Sequence, residues 1–303
     1  MKNYIKTFLI GFSMGTADLI PGVSGGTVAF LTGIYQTLID SIKLISGDVL
    51  KLILKFKFST ALKKIPFSFL IPLGLGLLSA VFLLANFLSY LLKNHPMYIW
   101  SLFFGLVLAS TYIVLKKISN WNYLLVALFL VSALLTYILV GSVPVSTPNT
   151  ALYIFLSGVV AICAMILPGI SGSFILVLLG KYAQVLEAVT TKDFVTLGIF
   201  ILGCALGISI FSRVLSYVFK HYHNIAVAVL AGIMFGSIRK LWPFKITLLY
   251  SLDRHNNLIP LVEQNVFPMN FGAKEFFAVF LAFFGACLVL GFDYLQGKKT
   301  VKK

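Results

Sequence analysis

The sequence predicts an all-α polytopic integral membrane protein with an inverted-topology repeat, each half a broken re-entrant helical hairpin followed by three transmembrane helices. Three observations predict it. The chain is 59% hydrophobic and 11% charged, whereas a soluble domain carries about a quarter charged residues. Its apolar stretches reach or approach the ~20 residues needed to cross a bilayer. Residues 158–187 also repeat residues 11–40 at a fixed offset of 147, with nine identities in thirty positions. Each copy breaks its apolar stretch with the same Pro-Gly-x-Ser-Gly.

The first half is assigned to residues 1–145 and opens with a hairpin at 7–42. Its first arm, 7–20, gives fourteen residues before the break, about 21 Å of helix against a ~30 Å hydrocarbon core, which argues for a re-entrant turn. The break reads Pro21-Gly22-Val23-Ser24-Gly25-Gly26. The run before it contains Asp18 and leads into Pro-Gly, so it is not read as a cleavable signal peptide. A basic insert at 43–64 is expected to lie on anionic headgroups. Spans follow at 67–92, 97–116 and 122–141.

The second half, 146–303, repeats the plan: a hairpin at 151–190, then spans at 194–219, 224–242 and 274–294. Its break reads Pro168-Gly169-Ile170-Ser171-Gly172-Ser173. Beyond the hairpins the similarity continues at an offset of 127, pairing Gly76 with Gly203, Gly105 with Gly232 and Ser110 with Ser237. A hairpin returns the chain to its starting side and three spans then cross, so the halves are expected to be inverted. Most lysines fall on one side, at the termini, in the insert and at Lys116-Lys117. The positive-inside rule makes that side cytoplasmic, with both termini inside. The net charge of +15 is thereby read as topology, not as nucleic-acid binding. The three cysteines have no metal-ligand spacing, and neither metal nor cofactor is expected.

The breaks carry the chemistry. Proline at Pro21 and Pro168 ends a helix, and glycine at Gly22 and Gly169 permits the reversal. Ser24 or Thr27, and Ser171 or Ser173, can cap the helix that restarts. Its free N–H groups and positive dipole end form an anion site suited to phosphate. The candidate headgroup ligands are therefore Ser24, Gly25, Gly26, Thr27, Ser171, Gly172 and Ser173. A kink or a tight helix contact is the competing reading of either loop alone.

Three ionisable residues join them. Asp18, an intramembrane carboxylate, is a candidate for coupling or gating: it could take up a proton, orient the Ser24 loop, or pair with Arg213. A structural cap is its plainer role. Arg213 could grip a phosphate bidentately or snorkel to the cytoplasmic interface. Arg239, beside Lys240 and Trp242-Pro243, could attract an anionic headgroup on the outer side or serve as a belt residue.

The run 15–27 (Gly-Thr-Ala-Asp-Leu-Ile-Pro-Gly-Val-Ser-Gly-Gly-Thr), followed by Gly33-Ile34-Tyr35, resembles the signature of the bacterial polyprenyl-phosphate transporter family (PopT, formerly a domain of unknown function). Residues 167–173 and 236–243 fit it too. The resemblance implies translocation of undecaprenyl phosphate across the cytoplasmic membrane, returning this lipid carrier to the cytoplasmic leaflet for cell-wall precursor synthesis. Its partners would be the polyprenyl phosphate, anionic membrane lipids and, through Asp18, a proton. An ion-coupled carrier of a small anionic solute is the rival reading. An enzyme such as a lipid phosphatase would need a nucleophile, an acid/base pair or a metal cluster, which the apolar segments do not offer. The energy source, prenyl length, monophosphate-versus-pyrophosphate selectivity and oligomeric state stay open at this point.

Overall fold

A computed structural model describes residues 2–20, 23–145, 147–252 and 258–300. The expected helix breaks Pro21 and Gly22 lie outside the described residues; Pro168 and Gly169 lie within them. In the first half α1 (Lys2–Asp18) leads to the first loop, then α2 (Gly25–Leu31) and α3 (Tyr35–Leu44). A π-helical turn (Ile45–Val49) runs into the short helices α4 (Leu50–Leu54) and α5 (Phe58–Lys64). The long helices α6 (Phe67–Asn94), α7 (Pro96–Leu115) and α8 (Tyr123–Val140) complete it. The second half runs α9 (Ala151–Ile166), α10 (Gly172–Leu178), α11 (Tyr182–Thr191), α12 (Phe194–His221) and α13 (His223–Leu241). Strands β1 (Lys245–Leu252) and β2 (Leu258–Asn265) precede the last helix, α14 (Ala273–Thr300).

Among the described residues six helices are long and apolar enough to cross a membrane: α6, α7, α8, α12, α13 and the 273–291 part of α14. They coincide with the six expected spans. Local chemistry sets their ends. Pro96 occupies the first turn of α7, where its missing N–H costs nothing. Asn122 caps α8 by accepting from the Leu125 N–H, and Asp193 caps α12 by accepting from Val195 and Thr196. Helices α1 and α9, of 17 and 16 residues, reach only about 25 Å.

Helices α7 and α13 form the centre. They are 61% and 56% buried, against 11–28% for the other four spans, and they pack on each other. Helix α1 packs on α6 and α9 on α12, while α7 packs on α14 and α13 on α8. The repeated glycines explain these pairs. A side chain on Gly11 would strike the Leu73 carbonyl, and one on Gly76 would strike that of Phe8. At the repeat positions, Gly158 faces the Phe200 carbonyl and Gly203 that of Phe155. Only a residue without Cβ lets the two backbones come this close.

Two features depart from the sequence expectation. The second arm of each hairpin is itself broken, after α2 and after α10, at Gly33 (φ +76°) and Gly180 (φ +64°). Helices α10 and α11 meet at 108°. The stretch after α13, which the all-α reading left without an element, holds the antiparallel β1–β2 hairpin, in which Lys245 pairs with Asn265 and Thr247 with Glu263. The basic insert docks through α3 onto α12. Ser216 donates to Asp40 Oδ1 (2.8 Å) and accepts from Lys43 Nζ (3.1 Å).

Candidate functional site

The first loop restarts as α2 because Ser24 takes an extended conformation (φ −126°, ψ 132°) and its hydroxyl accepts the Gly26 N–H (3.1 Å). The same hydroxyl donates to the Leu167 carbonyl (3.2 Å) on the second loop, 143 residues away. Tyr35, buried, donates its hydroxyl to the neighbouring Ile166 carbonyl (3.0 Å). A Cβ on Gly26 would lie 2.9 Å from the Ile166 oxygen, so glycine is what permits the contact. The two loops that the repeat singles out are therefore joined directly.

The loops differ in their free donors. In the first, the Gly25 N–H goes to Asp18 Oδ1 (2.6 Å), that of Gly26 to the Ser24 hydroxyl, and that of Thr27 to the Ser24 carbonyl (2.9 Å). Asp18 thus orients the Ser24 loop, and among the described residues no ion pair links it to Arg213. In the second loop Ser171 makes no capping bond and instead pairs with the Ser173 hydroxyl (2.8 Å). The N–H groups of Gly172 and Ser173 meet no acceptor among the described residues. Gly169, at φ +93°, lies against Met234 and Ser237 of α13, where a Cβ would come within 2.9 Å of the Met234 α-carbon. The donors available to an anion are on the second loop.

Each loop borders a cavity. The first, of about 480 Å³, lies among α1, α2, α7 and α14 and is lined mainly by apolar side chains such as Phe12, Leu106 and Leu288. Thr27 lines it, and its buried hydroxyl oxygen has no hydrogen-bond partner among the described residues. The second, of about 330 Å³, lies among α10, α13, the end of α8 and the β-hairpin. Ser173, Arg239, Lys240, Lys245 and Glu263 line it. Arg239 donates to the Tyr137 carbonyl (2.9 Å) and stacks over that tyrosine's ring (4.4 Å). Glu263 Oε2 is shared by Lys240 (3.2 Å) and Lys245 (3.4 Å).

Lys245 is boxed in. Its ammonium lies over the Trp100 ring (4.1 Å) and donates to the Lys240 carbonyl (2.8 Å). Burial brings its pKa down to about 8, against the opposing pull of Glu263. Burial would raise the Glu263 carboxyl, but the two lysines outweigh it and hold the group below its usual range.

Residues 14–259 match the profile of the undecaprenyl phosphate translocase-like family. The chain belongs to that family. It is 39% identical over 297 residues to the polyprenyl-phosphate transporter of Vibrio cholerae, covering 96% of both chains. It is 35% identical over 254 residues to the polyprenyl-phosphate transporter of Staphylococcus aureus, covering 78% of this chain and 85% of the relative. No solved structure matches the chain.

Within this family member, Arg213 is the sequence-predicted residue that the fold keeps from the loops. It is exposed on α12, with a guanidinium nitrogen facing Gly47 of the π-helical turn. Sequence reasoning missed Lys245 and Glu263 as a pair, and it missed Lys181. The Lys181 side chain is fully buried, and its ammonium donates to the carbonyls of Thr147 and Pro148 and to the side chains of Asn149 and Gln184 (2.7–3.1 Å). It ties the linker between the halves to the second hairpin. Its place next to Gly180, where the repeat has Ile34, was the available signal.

Proposed function

We propose that this protein translocates undecaprenyl (polyprenyl) phosphate across the bacterial cytoplasmic membrane and returns the lipid carrier to the cytoplasmic leaflet for cell-wall precursor synthesis. One observation carries the reading: two joined loops lie between an apolar cavity and a cationic one. That arrangement suits an amphiphile with one anionic head and a long hydrocarbon tail. A phosphate gains from backbone N–H groups and cations, while isoprene units need only apolar surface. The names of the two relatives point the same way.

In this reading the halves, 1–145 and 146–303, are inverted repeats with re-entrant hairpins. The equivalent glycine contacts and the short reach of α1 and α9 support it. Both termini are cytoplasmic, and Arg239, Lys240 and Lys245 face outward. The headgroup enters past Arg239 to Ser171, Gly172 and Ser173, and then passes to Ser24, Gly25, Gly26 and Thr27. The tail follows in the apolar cavity and in lipid. Asp18 gates the second stage, because the Gly25 N–H must leave its carboxylate before it can serve a phosphate. Arg213 waits near the cytoplasmic end of α12. The protein acts as a transporter, not an enzyme.

The test is leaflet exchange of a fluorescent polyprenyl phosphate in proteoliposomes, with a membrane-impermeant bleaching reagent outside. Exchange that requires the protein and falls in a stably folded Ser24→Ala/Ser171→Ala variant is the expected result. No exchange, with or without a proton gradient, would overturn the lipid reading and point to a soluble anion as cargo.

A further inference from the structure

We propose that Glu263 is a built-in plug of an outward anion port: its carboxylate occupies the place between Lys240 and Lys245 that a phosphate monoester takes over when it binds. The inference deepens the transport reading and rests on it for the identity of the ligand, though not for the existence of the port. Lys240 lies in the last turn of α13 and Lys245 begins β1, yet both ammonium groups converge on a single oxygen of Glu263. Only 26% and 7% of these lysine side chains is exposed, and 18% of the glutamate. Arg239 lines the same cavity. Among the described residues, three cations and one carboxylate thus border this cavity of about 330 Å³, leaving two positive charges uncompensated by that carboxylate. Removing charge from water is costly unless it is balanced, so the cavity favours an incoming anion of more than one charge and more than two oxygens. A phosphate monoester has both, and its oxygens can serve lysines that now share a single acceptor.

The remaining contacts make a side-chain swing sufficient. The bond of Lys245 to the Lys240 carbonyl and its seat on Trp100 do not involve Glu263. The β-hairpin is held near its base by bonds that do not involve the carboxylate. Trp242 donates to the Val266 carbonyl (2.8 Å), and Asn265 donates to the Arg239 carbonyl (2.8 Å). The carboxylate can therefore leave while the hairpin stays. Binding then swaps one anion for another, so the lysines are never exposed bare to the membrane.

The experiment measures binding of farnesyl phosphate, inorganic phosphate and farnesol to the full-length protein in a neutral detergent by titration calorimetry. Glu263→Gln keeps the shape and removes the competing charge, and it should tighten both phosphates about tenfold or more while leaving farnesol unchanged. Lys245→Gln should weaken both phosphates by a similar factor. Unchanged or weaker phosphate binding in a folded Glu263→Gln protein would overturn the plug. If that variant does not fold, Lys240→Gln decides, since unchanged phosphate affinity there removes the port. Tightening of inorganic phosphate without that of farnesyl phosphate, alongside no lipid exchange by wild type, would keep the port and sink the lipid reading. Normal lipid exchange with no effect of Glu263→Gln on binding would do the reverse.

Discussion

Replacing Gly26 by alanine tests whether the joined loops are the working part of this fold. The added Cβ would sit 2.9 Å from the Ile166 carbonyl oxygen and 3.1 Å from the Ser24 hydroxyl. Ordinary contact begins near 3.4 Å, so the loops must separate by roughly half an ångström. Overpacking of this kind costs about 1–3 kcal/mol. The displacement also stretches the Ser24–Leu167 and Tyr35–Ile166 hydrogen bonds, each worth about 1 kcal/mol. The control is Gly33→Ala. Nothing lies within 4 Å of a Cβ there, but φ is +76°, so its cost of about 1–2 kcal/mol comes from backbone conformation alone. Both variants should therefore melt lower in detergent by several degrees, at about 2–4 °C per kcal/mol. Only Gly26→Ala should also lose most of its lipid exchange in proteoliposomes. Equal exchange in the two variants at matched stability would refute the argument that the loop–loop contact positions the site.

Asp18→Ala should lower the melting point by more than Asp18→Asn, because the asparagine oxygen can still accept the Gly25 N–H, in a weaker neutral bond. Lipid exchange in the asparagine variant separates a gate, which it slows or speeds, from an obligatory proton carrier, which it abolishes. Lys181→Met strands four acceptors and should destabilise by at least about 2–3 kcal/mol, read as a fall in melting temperature. Lys245 binds its proton less tightly in the folded protein than when unfolded, with a folded pKa of about 8 against 10.5. Its penalty on stability is full below pH 8 and is relieved as pH rises from about 8 to 10.5, where the unfolded chain holds more protons. Stability should gain over that window relative to Lys245→Met, as followed by thermal melts. Anion binding at the cavity should decline as pH rises through about 8, where folded Lys245 loses its charge.

The spans were legible because run length and charge alone decide whether a helix can cross a bilayer. The repeat was legible because it is written in glycines. Gly11, Gly76, Gly158 and Gly203 match in sequence, and all four sit where another backbone presses. The second breaks are not legible, although Gly33 and Gly180 match at the same offset of 147. A glycine in an apolar run looks the same whether it admits a neighbour or takes a positive φ, and only the backbone distinguishes them. The cavity of Lys240, Lys245 and Glu263 needed a strand register to bring residue 263 back beside 245. The neighbour of Arg213, the π-helical turn at Gly47, is not legible because a sequence shows the height of a residue on α12 but not what it faces.

The carbonyls of Ile166 and Leu167 are free to accept because α9 stops there and Pro168 has no N–H to continue it. Their donors, Tyr35 and Ser24, are made much earlier. Between Tyr35 and Ile166 the ribosome adds 131 residues, roughly 7–26 s of synthesis at ~5–20 residues per second. During that interval the first hairpin sits at the translocon with hydroxyls that have no interhelical acceptor. Its final seat is a late event of biogenesis, completed only when the second half arrives. A truncated chain ending before residue 166 would leave the membrane insertion machinery holding an unfinished hairpin, a natural mark for quality-control proteases.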